Sequence, residues 1–118
     1  MTSQIDAVSS KEFPLKPHNS PAVKVPGLMF CSGQLGFGEM ADATIESLTK
    51  LKSVLEIGGS SLEKVVKFNV LIGDIEKFDG ESLMSFKFTP TPKPARTCTQ
   101  AGRLWGGAAI EIECIAQL

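Results

Sequence analysis

The strongest stretch of helical period sits among runs of period two. From Ala41 to Ile57, Ile45, Leu48, Leu51 and Leu55 fall on one face with Val54 beside them, which predicts an amphipathic helix. Glu46 and Lys50 are spaced i,i+4 as a favourable pair, and Gly58-Gly59 ends the helix by admitting a left-handed residue. Around it the pattern is that of strands. Val65 to Ile72 places Val66, Phe68, Val70 and Ile72 on one side and Lys67 and Asn69 on the other. Ala109 to Ala116 places Ile110, Ile112 and Cys114 on one face and Glu111 and Glu113 on the other. A chain with one strong helix and several half-buried strands must lay the helix on a sheet.

The remaining elements fill in that layer. Ala22–Val25 and Leu28–Ser32 flank Pro26-Gly27 as a hairpin, and Gly33, Gly36 and Gly38 are expected to end its second strand. Ile5, Val8 and Phe13 anchor a short edge strand, and Pro14, Pro17 and Pro21 forbid a helix there. Ser60-Ser61-Leu62-Glu63 has the form of a capping box with room for only a short turn. Asp74 caps a predicted second helix from Ile75 to about Phe86, with Phe78, Leu83 and Phe86 as its stripe. Gly80 weakens that helix by about 1 kcal/mol relative to alanine. Pro90, Pro92 and Pro94 form an extended connector to a strand over Ala95–Ala101, and Trp105-Gly106-Gly107 is a turn. The predicted order is β-β-β-α-β-α-β-β, an α+β fold of one mixed sheet with both helices on one face. The other face carries apolar residues such as Leu71 and Ile115, so a subunit interface is expected to cover it.

Composition narrows the chemistry. At 118 residues the chain is a single domain over 1–118, with 1–16 a partly flexible N-terminal edge segment. A net charge of −1 argues against a nucleic-acid binder. One histidine and three dispersed cysteines do not make a zinc site, so no metal is expected. Cys31, Cys98 and Cys114 read as buried thiols in a reducing compartment. No apolar run is long enough to span a membrane. The N-terminal residues have the pattern of neither a signal nor a transit peptide, and only the final leucine of Ala116-Gln117-Leu118 matches a peroxisomal ending. A cytoplasmic protein is expected, with mitochondrial and peroxisomal compartments left open.

Few residues could carry chemistry. His18, between prolines, reads as an exposed loop histidine, and the Gly33–Gly38 stretch lacks the lysine and hydroxyl of a phosphate loop. Arg96 opens a strand behind a rigid connector. On pattern alone it is a surface residue; its functional reading is a guanidinium fork for a carboxylate. Cys98, two positions on, shares its face. Glu111 and Glu113 are either a solvated face or, near such an arginine, a carboxylate pair able to orient or deprotonate water.

Four segments resemble the RidA (YjgF/YER057c/UK114) family in family order. They are Phe30–Gln34, Gly58–Lys67, Lys93–Cys98 and Ile110–Ala116, within roughly residues 17 to 117. The resemblance implies a chorismate-mutase-like α+β fold of the bacillus type. It implies a homotrimer whose sheets line a central barrel, with sites between subunits. It implies hydrolysis of reactive 2-aminoacrylate or 2-iminopropanoate-type enamines and imines to 2-keto acids and ammonia, a form of metabolite damage control needing no cofactor. By the same resemblance Arg96 binds the substrate carboxylate and Glu111 positions water. Ser32, Gly33, Cys98, Asn19 and Ser82 line the pocket. The partners implied are a small imino or enamine acid and further copies of the chain, with neither nucleic acid nor membrane. Where Asn19 stands many members carry tyrosine, where Ser82 stands asparagine, and where Trp105 stands proline. The alternative is a diverged trimer that binds small molecules, acts chaperone-like, or serves a specialised imine in a dedicated pathway. A ribonuclease is disfavoured, with a single histidine and no basic aromatic face.

Overall fold

The computed structural model describes residues 4–78 and 92–118. Strands β1 (Asp6–Val8), β2 (Ala22–Val25), β3 (Leu28–Gly36), β4 (Val65–Ile72), β5 (Ala95–Gln100) and β6 (Ile110–Gln117) form one sheet. Their spatial order is β1-β2-β3-β6-β4-β5. All neighbours are antiparallel except β4 and β5, which run parallel. Helix α1 (Met40–Ile57) lies on one face. The described residues therefore form a mixed α+β layer of one sheet with one main helix and short 3₁₀ turns, as the periodicities predict.

The core sits between α1 and the sheet. Leu48, Leu51 and Leu55 pack with Met29, Val70, Ile72, Ile110 and Ile112, all buried. The helix presents a different stripe from the one its apolar residues suggest. Ile45 is 49% exposed, whereas Thr44 and Ser47 are fully buried. Ile45 lies about 120° round the helix from Leu51, beyond the apolar stripe. The two hydroxyls can be buried because each has a backbone acceptor. Thr44 Oγ1 donates to the Met40 carbonyl and Ser47 Oγ to the Gln34 carbonyl, both at 2.7 Å. At the helix end Gly59 takes φ +88°, and Ser60 N donates to the Leu55 carbonyl at 2.8 Å.

The expected end of the hairpin at Gly33 is corrected. Strand β3 runs on to Gly36 through a bulge, with pairing to β6 shifting register between Cys31 and Gln34. Gly36 stays in the strand because α1 crosses over it, and a Cβ there would run into the carbonyl oxygen of Ala43. A second shift between Val65 and Lys67 takes Val66 out of the buried row and leaves it 46% exposed. The Ser60–Glu63 capping box does not form. Leu62–Lys64 is a 3₁₀ turn without side-chain capping, and Ser60 Oγ instead donates to the Gln117 carbonyl at 2.7 Å.

Asp74 does cap a turn, accepting from Glu76 N at 3.1 Å, but Ile75–Lys77 is 3₁₀ and Phe78 is already extended. The rest of the predicted second helix, with Ser82, Leu83 and Phe86, lies outside the described residues. Residues 4–8 end in the edge strand β1, where Val8 is buried against the core and Ile5 is exposed.

Among the described residues nothing covers the sheet face opposite α1, hereafter the bare face. Phe30, Ile115, Leu71 and Leu35 stand on this face with Glu111, Glu113 and Asn69, as the pairings Phe30↔Ile115, Leu35↔Glu111, Leu71↔Glu111 and Asn69↔Glu113 require. Phe30 is 43% exposed.

Candidate active site

A cleft of about 300 Å³ opens at one end of the bare face. Its walls are the N-terminal segment around Phe13 and Asn19, the β3 bulge at Ser32 and Gly33, and the turn carrying Trp105; Glu111 lies within it. Sequence-local causes bring these parts together. The bulge turns Ser32 toward the N-terminal segment, where its N–H donates to the Pro21 carbonyl at 3.0 Å and its Oγ to the Ser20 carbonyl at 2.7 Å. The Ser32 hydroxyl proton is thus engaged, leaving the oxygen as an acceptor. A backbone bond from Lys16 N to the Asn19 carbonyl, 2.9 Å, shapes the loop that places Asn19 and His18 on the rim.

Gly33 is present for space. A Cβ on it would lie 2.7 Å from both Cγ and Cδ of Glu111, so any larger residue displaces that carboxylate. Glu111 is half-buried, and burial holds its carboxyl above the usual range, with the Glu113 carboxylate adding to the rise. Glu113 accepts from Asn69 Nδ2 at 3.0 Å across the strands. The cleft therefore offers a partly desolvated carboxylate beside bare backbone, an arrangement able to hold a water and take its proton.

The far side is held by α1. Lys50 Nζ donates to the Leu35 carbonyl at 2.8 Å, pairs with Glu46 at 3.1 Å and stands 5.8 Å from the Phe37 ring centroid. Glu46 accepts from Phe37 N at 2.8 Å, a bond that, with Lys50, holds its carboxyl below the usual range. The predicted i,i+4 pair is present and also pins the end of β3 to the helix.

Of the residues assigned by resemblance, Glu111, Ser32, Gly33 and Asn19 meet in this cleft. Arg96 and Cys98 do not join them within one chain. They pair with Phe68 and Val70 of β4 and so point to the helix side of the sheet. Arg96 lies 5.9 Å from the Phe78 ring centroid, and Cys98 packs on the core, where burial pushes its thiol pKa up against a smaller lowering by Arg96. Glu111 and Arg96 are two strands apart and three residues out of level, about 14 Å between Cα positions, with side chains on opposite faces. Ser82 lies outside the described residues.

Reading the sequence alone misses His18, Lys50 and Phe37 as cleft residues, whereas Trp105, singled out there as a departure from the family's proline, lines the cleft. Lys50 carries only the signal of its helical pair, and nothing in linear order brings Trp105 near Phe37. Cys31 and Cys114 are buried free thiols directly paired across β3 and β6; their contact, with burial, drives the Cys114 pKa up. Among the described residues no three His, Cys, Asp or Glu side chains are grouped to hold a metal. No described helix is long and apolar enough to cross a membrane.

Residues 9–118 match the family model described as Endoribonuclease L-PSP, that of the YjgF/RidA proteins. The chain belongs to this family. As a YjgF/RidA protein it is 41% identical to the Schizosaccharomyces pombe protein mmf2, mitochondrial, over 97% of this chain and 98% of that one. It is 31% identical to the 2-iminobutanoate/2-iminopropanoate deaminase of Dermatophagoides farinae, over 86% of each chain. The crystal structure of E. coli TdcF with bound serine superposes with a TM-score of 0.83 at 25% identity, covering 96% of this chain and 98% of that one. The fold expected from the resemblance is thus the fold observed, and the family includes proteins named as imine deaminases.

Proposed function

We propose that this YjgF/RidA protein hydrolyses 2-imino acids, and their enamine tautomers, to 2-keto acids and ammonia. The observation that carries the reading is the cleft in which Gly33 backbone lies against Glu111, a carboxylate raised by burial. The deaminase name of the mite relative and the amino acid bound to TdcF support a small carboxylate substrate.

The site is assembled from more than one chain. Arg96 sits on β5, the edge strand, and on the opposite face from Glu111. A cleft that uses both must take them from different copies. A homotrimer that buries Phe30, Leu71 and Ile115 on the bare face would bring the edge of one copy to the cleft of the next.

In this arrangement Arg96 of a neighbouring copy forks the substrate carboxylate. The iminium carbon is already electrophilic. Ionised Glu111 orients a water and accepts its proton as the oxygen bonds to that carbon. Glu111 passes that proton to the nitrogen of the resulting carbinolamine, the C–N bond breaks as the C=O bond forms, and the hydroxyl proton leaves with the ammonia as NH4⁺, so that Glu111 ends ionised as it began. The sum is R–C(=NH2⁺)–COO⁻ plus H2O giving R–CO–COO⁻ plus NH4⁺. Orientation supplies most of the acceleration, so no strong base is needed. Cys98 serves as a neutral wall contact, and Ser32, Gly33, Asn19 and Ser82 as pocket lining. No cofactor and no nucleic acid enter this reaction. The endoribonuclease of the family description would call for acid–base groups that a single rim histidine does not supply in pairs.

The test is ammonia and keto-acid release from imine generated in place by an amino-acid oxidase, with semicarbazide trapping the remainder. Wild type should outrun buffer, and Arg96→Ala should not while retaining its assembly size. Equal rates for wild type and buffer would overturn the reading in favour of a ligand-binding trimer. Localisation is proposed as cytoplasmic; the mitochondrial label belongs to the S. pombe relative.

A further inference from the structure

Trp105 is the most exposed of the large apolar side chains among the described residues, at 85%. It is held firmly there. Its turn closes with Gly107 N donating to the Leu104 carbonyl at 3.1 Å and Ala108 N to the Trp105 carbonyl at 3.2 Å. Gly106 and Gly107 both take positive φ, +66° and +78°, a bend that residues with side chains rarely adopt. The turn also rests on Phe37, whose ring would lie 3.4 Å from a Cβ at Gly106. Phe37 is in turn flanked by the Lys50 ammonium and tied through its N–H to Glu46. A braced loop that offers an indole to solvent lacks the partner that would normally cover so large an apolar surface.

Trp105 and Phe37 line the same cleft as Glu111, Ser32 and Gly33. With Leu35 they make one wall apolar, while the carboxylate and bare backbone make the other polar. A methyl substituent on a substrate held at Glu111 is too small to cover an indole and a phenyl ring. A branched or aromatic side chain is large enough. We propose that Trp105, with Phe37, forms a side-chain subsite that selects 2-imino acids with large apolar side chains over those with a methyl group. The proposal rests on the deaminase reading for the reaction and adds the class of substrate.

The chain contains one tryptophan, so intrinsic fluorescence reports on this residue directly. The assembled protein is titrated with two stable product acids, 4-methyl-2-oxopentanoate and pyruvate. The branched acid is expected to shift the emission and to bind about tenfold more tightly. In parallel, kcat/KM is measured for imines generated from leucine and from alanine. The leucine-to-alanine ratio should exceed one, fall about tenfold in Trp105→Ala and recover largely in Trp105→Phe. A ratio that Trp105→Ala leaves in place overturns the subsite. So does a ratio below one, or a variant that changes only the assembly size, which would make Trp105 a contact between copies. If neither imine is hydrolysed but the branched acid still binds selectively through Trp105, the subsite stands and the deaminase reading falls. If neither acid is bound selectively and neither imine is hydrolysed, both fall.

Discussion

The two faces of the sheet solve opposite problems. On the helix face every apolar position finds a partner in the same chain: Phe68, Val70, Ile72, Ile112 and Cys114 are buried with Leu48, Leu51 and Leu55. Even its buried hydroxyls, Thr44 and Ser47, are satisfied within the chain. On the bare face the same strands alternate Phe30, Leu71 and Ile115 with Glu111, Glu113 and Asn69. The apolar members are poorly suited to water and the carboxylates poorly suited to a dry core. A face of mixed character is stable when another copy covers its apolar part and leaves a wet cleft at the acidic end. Stability thus concentrates on one side, and the carboxylates of Glu111 and Glu113 stand on the other.

The largest effect should come from splitting the chemistry between copies. Glu111→Gln alone should reduce kcat/KM by about 10²–10⁴-fold, and Arg96→Ala should do at least as much damage. Refolding the two inactive variants together should restore part of the activity, because some clefts then combine an intact Arg96 with an intact Glu111. No recovery from mixed assemblies of correct size would mean that the two residues do not meet across an interface.

Next comes the contrast between two leucines, one on each face of the sheet. Leu51→Ala on the helix face should lose about 2–5 kcal/mol in urea unfolding, whatever the protein concentration. Leu71→Ala on the bare face should act on assembly, with a loss that grows on dilution, as followed by light scattering. A concentration-independent loss at Leu71 would remove the argument that a second copy covers it.

Two glycines of β3 sharpen the same contrast. Gly36→Ala meets the Ala43 backbone and should cost about 1–3 kcal/mol, since α1 must shift. Gly33→Ala meets first the Glu111 side chain, 2.7 Å away, which can swing. Its thermal midpoint should move little while its imine hydrolysis falls steeply. Similar stability losses at both positions would show that Gly33 is needed for folding rather than for placing Glu111.

The smallest effect is electrostatic. Glu111 holds its proton to higher pH in the folded protein than in the unfolded chain, because burial, then Glu113, disfavour its charge. Its stabilising contribution is complete below the ordinary glutamate value, about 4.3, and is lost as pH rises through the raised value. Activity runs the other way, because the ionised form takes the water proton. The acid limb of kcat/KM should lie above 4.3, and Glu113→Gln should move it down. A limb at or below the ordinary value would show that another group limits the rate.

Local periodicity made much of the frame legible. The extent of α1, its stop at Gly58-Gly59 and the limits of β4 follow from side-chain repeat and backbone freedom, which act over a few residues. The errors fall where distant segments decide. Ile45 loses its predicted place in the core to Ser47, because only the Gln34 carbonyl on β3 makes that hydroxyl cheap to bury. Val66 leaves its row because β4 slips against β6. Gly33 and Gly36 remain in strand because Glu111 and α1 come close to them from opposite sides.

The site divides in the same way. Residue types and their order were enough to single out Arg96, Glu111, Ser32 and Gly33, since short segments carry a family resemblance intact. Sequence alone also called for a cover over Leu71 and Ile115, because alternation is a local property. Which candidates share a cleft was decided only by tertiary structure. Sheet order sets β4 between Glu111 and Arg96, strand parity turns them to opposite faces, and the braced turn after β5 brings Trp105 beside Phe37. Those are consequences of how strands pair across the chain, and no window of neighbouring residues contains them.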